Sequence, residues 1–359
     1  MKKLSKFIAS MFMIALVVIS GVMFAGCGEK DFDKDKIKIG QTTFTYDGSF
    51  HVFEVTYEDE KDVQVTYSLD GETFVQKKDV ELKDVGKYTV YFKLSQNGYK
   101  DYKDSKEVVI KGFTITNGSA VTNYATFLEA LNGVEENGTL KMYDDVILSQ
   151  PIVASKTFTL DGQGKHGIIA SETFTEGNVL EVEKSNITVT LKDVEIDANQ
   201  KARVAYVGAG KLVIDGAVLK NGYREDTWAY GVYVTRSASF EMIKGSIIGH
   251  QKSEDADYTT KYSADLWIGA NATGIISGGE LGNMFINANS YSKTNPGKFT
   301  VKGGKLYNVY VEYGDGYGAK LEFQGGQIEK LRVSTTESNG SFVEKTATTG
   351  TTYVGGVTE

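Results

Sequence analysis

The sequence holds one cysteine, two prolines and three histidines in 359 residues. A single cysteine excludes any disulfide within the chain, and no zinc-ligand cluster is present. Cations are outnumbered, with 39 Lys and Arg against 47 Asp and Glu, which argues against nucleic acid as a partner. No Gly-rich phosphate loop occurs, and "GDG" at 314–316 lacks the flanking acids of an EF-hand. Glycine, by contrast, is plentiful. Forty glycines with so little proline suit many tight turns between strands rather than a disordered chain. Apolar residues make up 41%, enough for a sizeable core, and the length suggests two domains or one long repetitive one.

The lone cysteine follows a secretion-type leader. Lys2, Lys3 and Lys6 are its positive end, Phe7 to Phe24 is almost wholly apolar, and "MFAGCG" places Ala25 and Gly26 before Cys27. This resembles the lipobox of bacterial lipoproteins, although Phe24 stands where that motif usually has leucine. The resemblance implies removal of residues 1–26, acylation of Cys27 and anchoring on the outer face of a bacterial cell membrane, where two acyl chains hold firmly. A plain signal peptide or an uncleaved membrane anchor is the alternative. "GEKDFDKDKIK" (28–38) is charged and without period, so residues 27–36 read as a solvated tether.

Between Ile37 and Gly112, short alternating runs are separated by Asp47-Gly48, Asp70-Gly71 and Asn97-Gly98, which reads as strands and hairpin turns. "DVGKYTVYF" sets Asp84, Gly86 and Tyr88 in the spacing of a tyrosine corner. With "YDG" before and "NGYKDY" after, this segment resembles the cysteine-free Ig-like repeats of bacterial surface proteins. That implies a β-sandwich serving as spacer or adhesive unit, with His51 as an ordinary strand residue.

"TNYATFLEALNGVEENG" (122–138) carries Phe127, Leu131 and Val134 on one helical face. The pattern predicts a helix over 122–134, capped by Thr122 or Asn123 and stopped by Gly138. Together with the strands that follow, it resembles the N-terminal cap of pectate-lyase-like parallel β-helices, whose exposed end must be closed.

Beyond Thr157 one pattern recurs seven times, apolar-x-apolar-x-turn-turn-x-apolar. It runs through "FTLDGQGK", "VTLKDVEI", "LVIDGAVL", "FEMIKGSI", "GIISGGEL", "FTVKGGKL" and "LEFQGGQI". Taking Leu160, Leu191, Ile214, Met242, Ile276, Val301 and Phe323 as equivalent gives a coil-length period. The expected architecture is all-β: an Ig-like β-sandwich followed by a right-handed parallel β-helix over 113–340, with 341–359 as a last cap or a tail.

A second strand follows each corner. Aligning "GVYVT", "DLWIG", "NMFIN", "NVYVE" and "KLRVS" sends Tyr233, Trp267, Phe285, Tyr310 and Arg332 to the outside, opposite the apolar pairs around them. Asp265, Asn283, Asn308 and Glu312 border that ladder. Open rings flanked by acids and amides suit a pyranose face or a surface protein; stacked rings also stabilise parallel coils without any ligand. The inserts 221–230 and 250–265, with Trp228 among their residues, are the loops expected to build a functional face.

The β-helix resemblance raises polysaccharide cleavage, by a lyase or hydrolase acting on uronate-rich polymer, as the alternative to binding. Asp255, Asp257 and Asp265 with Arg236 are the only set that could serve a Ca²⁺-dependent lyase, yet an acidic loop is ordinarily a solvated one. The Asn-Thr-Asp, Asp-Asp, Gly-His-Gly and Arg-Ile-Lys series of the hydrolase branch is missing, and His166 in "GKHGII" has no acidic partner array. The expectation is therefore a non-catalytic, adhesin-like surface protein with no catalytic residue and no cofactor. A purely structural envelope protein remains a third reading.

Overall fold

Residues that the repeat placed in one column are stacked rung on rung. Leu160 pairs with Leu191, Leu191 with Ile214, Ile214 with Met242, Met242 with Ile276, Ile276 with Val301, and Val301 with Phe323, all in parallel ladders. One more rung precedes them: Leu140 lies opposite Leu160. The stack therefore begins at the strand Gly138–Met142, one coil earlier than the visible repeat. The computed structural model describes residues 29–58, 62–77, 80–223, 229–249, 264–288, 295–314, 316–335 and 342–356. Over 138–335 it is a parallel β-helix of eight coils, and all eight residues of this column are buried in one continuous core.

The corners follow from backbone freedom. Gly216, Gly245, Gly279, Gly304 and Gly326 turn five successive coils with φ between 87° and 115°. Side-chain residues rarely adopt that region. At Gly245 there is no space either, because a Cβ would lie 2.2 Å from the carbonyl oxygen of Ala217 in the coil below.

Both ends close with antiparallel pairing, which ends the parallel stack. At the start, the hairpin Phe113–Asn117 and Ala120–Tyr124 lays its first strand against Gly138–Met142. The helix is shorter than predicted, Phe127–Gly133. Residues 122–124, expected in its first turn, belong instead to the hairpin's second strand, Ala120–Tyr124. The cap is Thr126, whose Oγ1 accepts from the Glu129 N–H at 3.3 Å, rather than Thr122 or Asn123. "TFLE" carries the Thr-x-x-Glu signature of a capping box, and that signal decided the start. Phe127 is buried and packs edge-on against Phe113 at 5.7 Å. At the far end, Thr351–Val354 and Phe342–Lys345 pair antiparallel with Lys320–Phe323 and Gln327–Ser334.

The N-terminal domain has two sheets around one core. The strands Gln64–Ser68, Gly86–Ser95 and Tyr102–Lys111 pair antiparallel, Thr43–Thr45 adds parallel to the last, and Ile37–Ile39 pairs with Val55–Tyr57. Phe53, Tyr67, Leu82, Val90, Phe92, Leu94, Val108 and Ile110 fill the interior. Residues 29–36, read in the sequence as a solvated tether, are mostly exposed, but one of them is anchored here. Phe32 is buried in this core between Tyr57 and Tyr99, and Lys30 bridges to Tyr99. One aromatic in a charged run outweighed its neighbours, because burying a phenyl ring is worth about 2 kcal/mol.

The tyrosine corner forms: the Tyr88 hydroxyl donates to the Asp84 carbonyl at 2.8 Å. Asp84 also accepts from Asn123 of the cap hairpin at 2.8 Å, and Lys111 pairs with Asp144 at 2.8 Å. Only Gly112 separates the last strand of the first domain from Phe113–Asn117. We expect Tyr88→Phe to cost about 1 kcal/mol in urea unfolding, the worth of one hydrogen bond. An unchanged midpoint would show that the corner bond carries no stability.

Candidate functional site

The outward ladder exists in the expected register. Tyr233 pairs with Trp267, Trp267 with Phe285, Phe285 with Tyr310 and Tyr310 with Arg332. Their rings form a second cluster outside the main core. Trp267 and Phe285 stack at 4.4 Å and 19°, and Phe285 and Tyr310 lie 6.3 Å apart at 18°.

The ladder is not open. Trp267, Phe285 and Tyr310 are only 7%, 1% and 1% exposed. Phe342 lies edge-on over Phe285 and Tyr310, at 6.3 and 5.4 Å. That ring belongs to the last cap, a segment the sequence presented as polar and rich in small residues. The Arg332 guanidinium closes the row at 5.2 Å over the Tyr310 ring and donates to its hydroxyl. An exposed platform at these three rings is thereby corrected to a side core that ties coils together.

The border residues serve the same end. Asp265 is buried, and its Oδ2 accepts from the Asn283 N–H at 2.5 Å. Asn308 donates to the Asn283 side-chain oxygen at 2.8 Å, extending the bonding one coil further. Glu312 accepts from Asn287 Nδ2 and Ala288 N at 2.8 and 2.9 Å, pinning the end of the coil below. Buried acceptors and donors are satisfied inside the fold rather than held out to a ligand. Trp228, Arg224, the acidic residues of 250–263 including Asp255 and Asp257, and Cys27 lie outside the described residues.

One end of the ladder is different. Tyr206 stands in register before Tyr233, their rings 5.7 Å apart, and both are only half-buried. Arg203, buried, sets its guanidinium over both rings, 5.0 Å from that of Tyr233 and 5.9 Å from that of Tyr206. Asn178 holds that guanidinium at 2.9 Å and donates in turn to Glu181 at 2.9 Å. Burial pushes the Tyr206 hydroxyl pKa up, with Arg236 and Arg203 opposing it and Glu183 and Tyr233 adding to it. The phenol thus stays protonated and able to donate. The sequence contained this rung: "RVAYV" (203–207) has the same apolar-Tyr-apolar step as "GVYVT", one coil earlier.

A second concave region lies on another face. The strands Val146–Leu148, Gly167–Ala170 and Glu195–Asp197 and the end of Lys211–Lys220 form a cavity of about 550 Å³ whose lining includes Asp145, Ile147, His166, Gly167, Ile169 and Glu195. One acid stands near His166: its Nδ1 lies 3.5 Å from Asp145 Oδ1. Among the described residues no three His, Cys, Asp or Glu converge as metal ligands.

No protein-family model matches this sequence, and no curated protein matches it. Among solved structures, pectate lyase PelI from Erwinia chrysanthemi is similar over 86% of this chain and 93% of that one, at 10% identity and a TM-score of 0.29. The coil register establishes the parallel β-helix independently of that likeness.

Proposed function

We propose that this chain is a lipid-anchored surface protein of a bacterial cell that binds a glycan without cleaving it. In this reading Cys27 carries the anchor, an Ig-like domain stands next to the membrane, and the β-helix presents the binding face. The observation that supports it is the Tyr206–Tyr233 step, half-open and held by the Arg203 guanidinium. Two tyrosine faces one coil apart offer a surface for the C–H side of a sugar, and the hydroxyls with Glu181 offer bonds to its edge. The Arg203 cation against the two rings holds them in place.

A glycan array probed with the protein and with Tyr206→Ala and Tyr233→Ala tests this. Each substitution is expected to weaken binding about tenfold, since a stacked ring contributes about 0.5–1.5 kcal/mol beyond its buried area. Melting temperatures should fall by only a few degrees, the scale of about 1 kcal/mol, because both rings are partly solvated. Binding unaffected by both substitutions sinks the proposal. Unsaturated ends released from polyuronides, with or without Ca²⁺, would overturn its non-catalytic part.

A further inference from the structure

The chain leaves little slack between Cys27 and its first fixed residue. Lys30 is held on both sides: its N–H donates to the Gly98 carbonyl and its carbonyl accepts from the Lys100 N–H, each at 2.9 Å. Phe32, two residues on, is buried between Tyr57 and Tyr99. The chain from Cys27 to Lys30 is three residues long, and fully extended it spans at most about 11 Å. A headgroup layer is itself roughly 6 Å deep.

Lys30 also marks one pole of its domain. Gly98, Tyr99 and Lys100 belong to the turn between the strands Gly86–Ser95 and Tyr102–Lys111. The second of these runs for ten residues, about 30 Å, before Gly112 and the first strand beyond it. The bonds that join the first domain to the β-helix, Asn123 to Asp84 and Lys111 to Asp144, sit at that far end. Chain entry and chain exit are therefore at opposite poles.

From this arrangement we infer that the pole made by Lys30 and the 97–100 turn faces the bilayer. The first domain is then a post that holds the β-helix about 30 Å off the headgroups. The inference rests on the lipid anchor at Cys27 proposed above, and adds which surface meets the membrane. Chain length, not affinity, keeps the pole there. Lys30, Lys34, Lys36 and Lys100 stand among Glu29, Asp31, Asp33, Asp35 and Asp101, so the surface has no cationic excess to draw it to anionic lipid.

Lipidated protein in phosphatidylcholine vesicles that carry a nitroxide on the headgroup tests this. Cys27 is the one cysteine of the chain and has no thiol once acylated, so a single added cysteine takes a fluorophore. A label on Asn97→Cys or Lys100→Cys, both exposed, is expected to lose most of its emission. A label on Val121→Cys, exposed in the hairpin that caps the β-helix, is expected to lose none. Inserting about ten Gly and Ser residues after Gly28 should restore the emission at 97, because the added chain reaches about 17 Å further. Melting temperatures serve as the folding control. Quenching at 97 and 100 no stronger than at 121, or quenching at 97 that the insertion leaves unchanged, overturns the inference with the anchor intact. A mass spectrum showing unmodified Cys27 overturns the anchor and the inference together.

Discussion

Phe285→Ala is expected to lower the stability of the β-helix by about 3–5 kcal/mol, the usual cost of emptying a buried aromatic site. Phe285 is stacked on Trp267, faces Tyr310 and is covered by Phe342, so truncation removes packing from three neighbours at once. The same change at Tyr233, half-buried at the ladder's open end, should cost about 1 kcal/mol, near the typical value for a point substitution. Urea unfolding of both variants, followed by circular dichroism, measures the difference. If Phe285→Ala falls within 1 kcal/mol of the parent, the side core adds nothing to the stack. The outward rings would then need another explanation, with ligand binding foremost.

Gly245→Ala should be nearly as damaging, for an unrelated reason. Its φ of 115° is unfavourable for any residue with a Cβ, at about 1–3 kcal/mol, and the added methyl would collide with the backbone of the coil below. A carbonyl oxygen cannot rotate aside as a side chain can, so the two coils must separate locally. The expected loss is on the order of 3 kcal/mol. By contrast, Gly164→Ala tests conformation alone, because its φ of 68° meets nothing within 4 Å. Comparable midpoints for the two variants would remove the argument from coil contact and leave only the backbone preference.

The fold was readable because a β-helix writes its register into the sequence. The later rungs repeat the same inward apolar pair, most of them with a glycine at the corner, so Leu160 through Phe323 could be aligned without knowing the structure. Leu140 escaped because its coil turns at "YDDVIL", where no glycine marks the corner. Phe32 escaped because window averages dilute a single ring among lysines and aspartates.

The binding face was less legible, and the cause is also physical. Alternation tells which side of a strand a residue takes, and it did so correctly for Trp267, Phe285 and Tyr310. It carries no information about a distant segment that lies over that side. Phe342 is 32 positions from Tyr310 in the chain, inside a stretch of small polar residues, and its cover depends on a strand reversal that no local pattern announces. The cavity at Gly167 was hidden differently. Asp145, His166 and Glu195 belong to three coils, and they become neighbours only once the rungs are superposed.

The antiparallel strands at the two ends set a limit on growth. A stack of identical rungs has no intrinsic length; each new layer would find the same template as the last. The hairpin at 113–124 and the pair at 342–354 reverse chain direction against Gly138–Met142 at one end and Lys320–Phe323 and Gln327–Ser334 at the other, so a second molecule meets no parallel template on those strands. A proteolytic cut that released the final pair would expose Phe323, Leu331 and the side-core rings together, turning a finished particle into a seed for polymerisation.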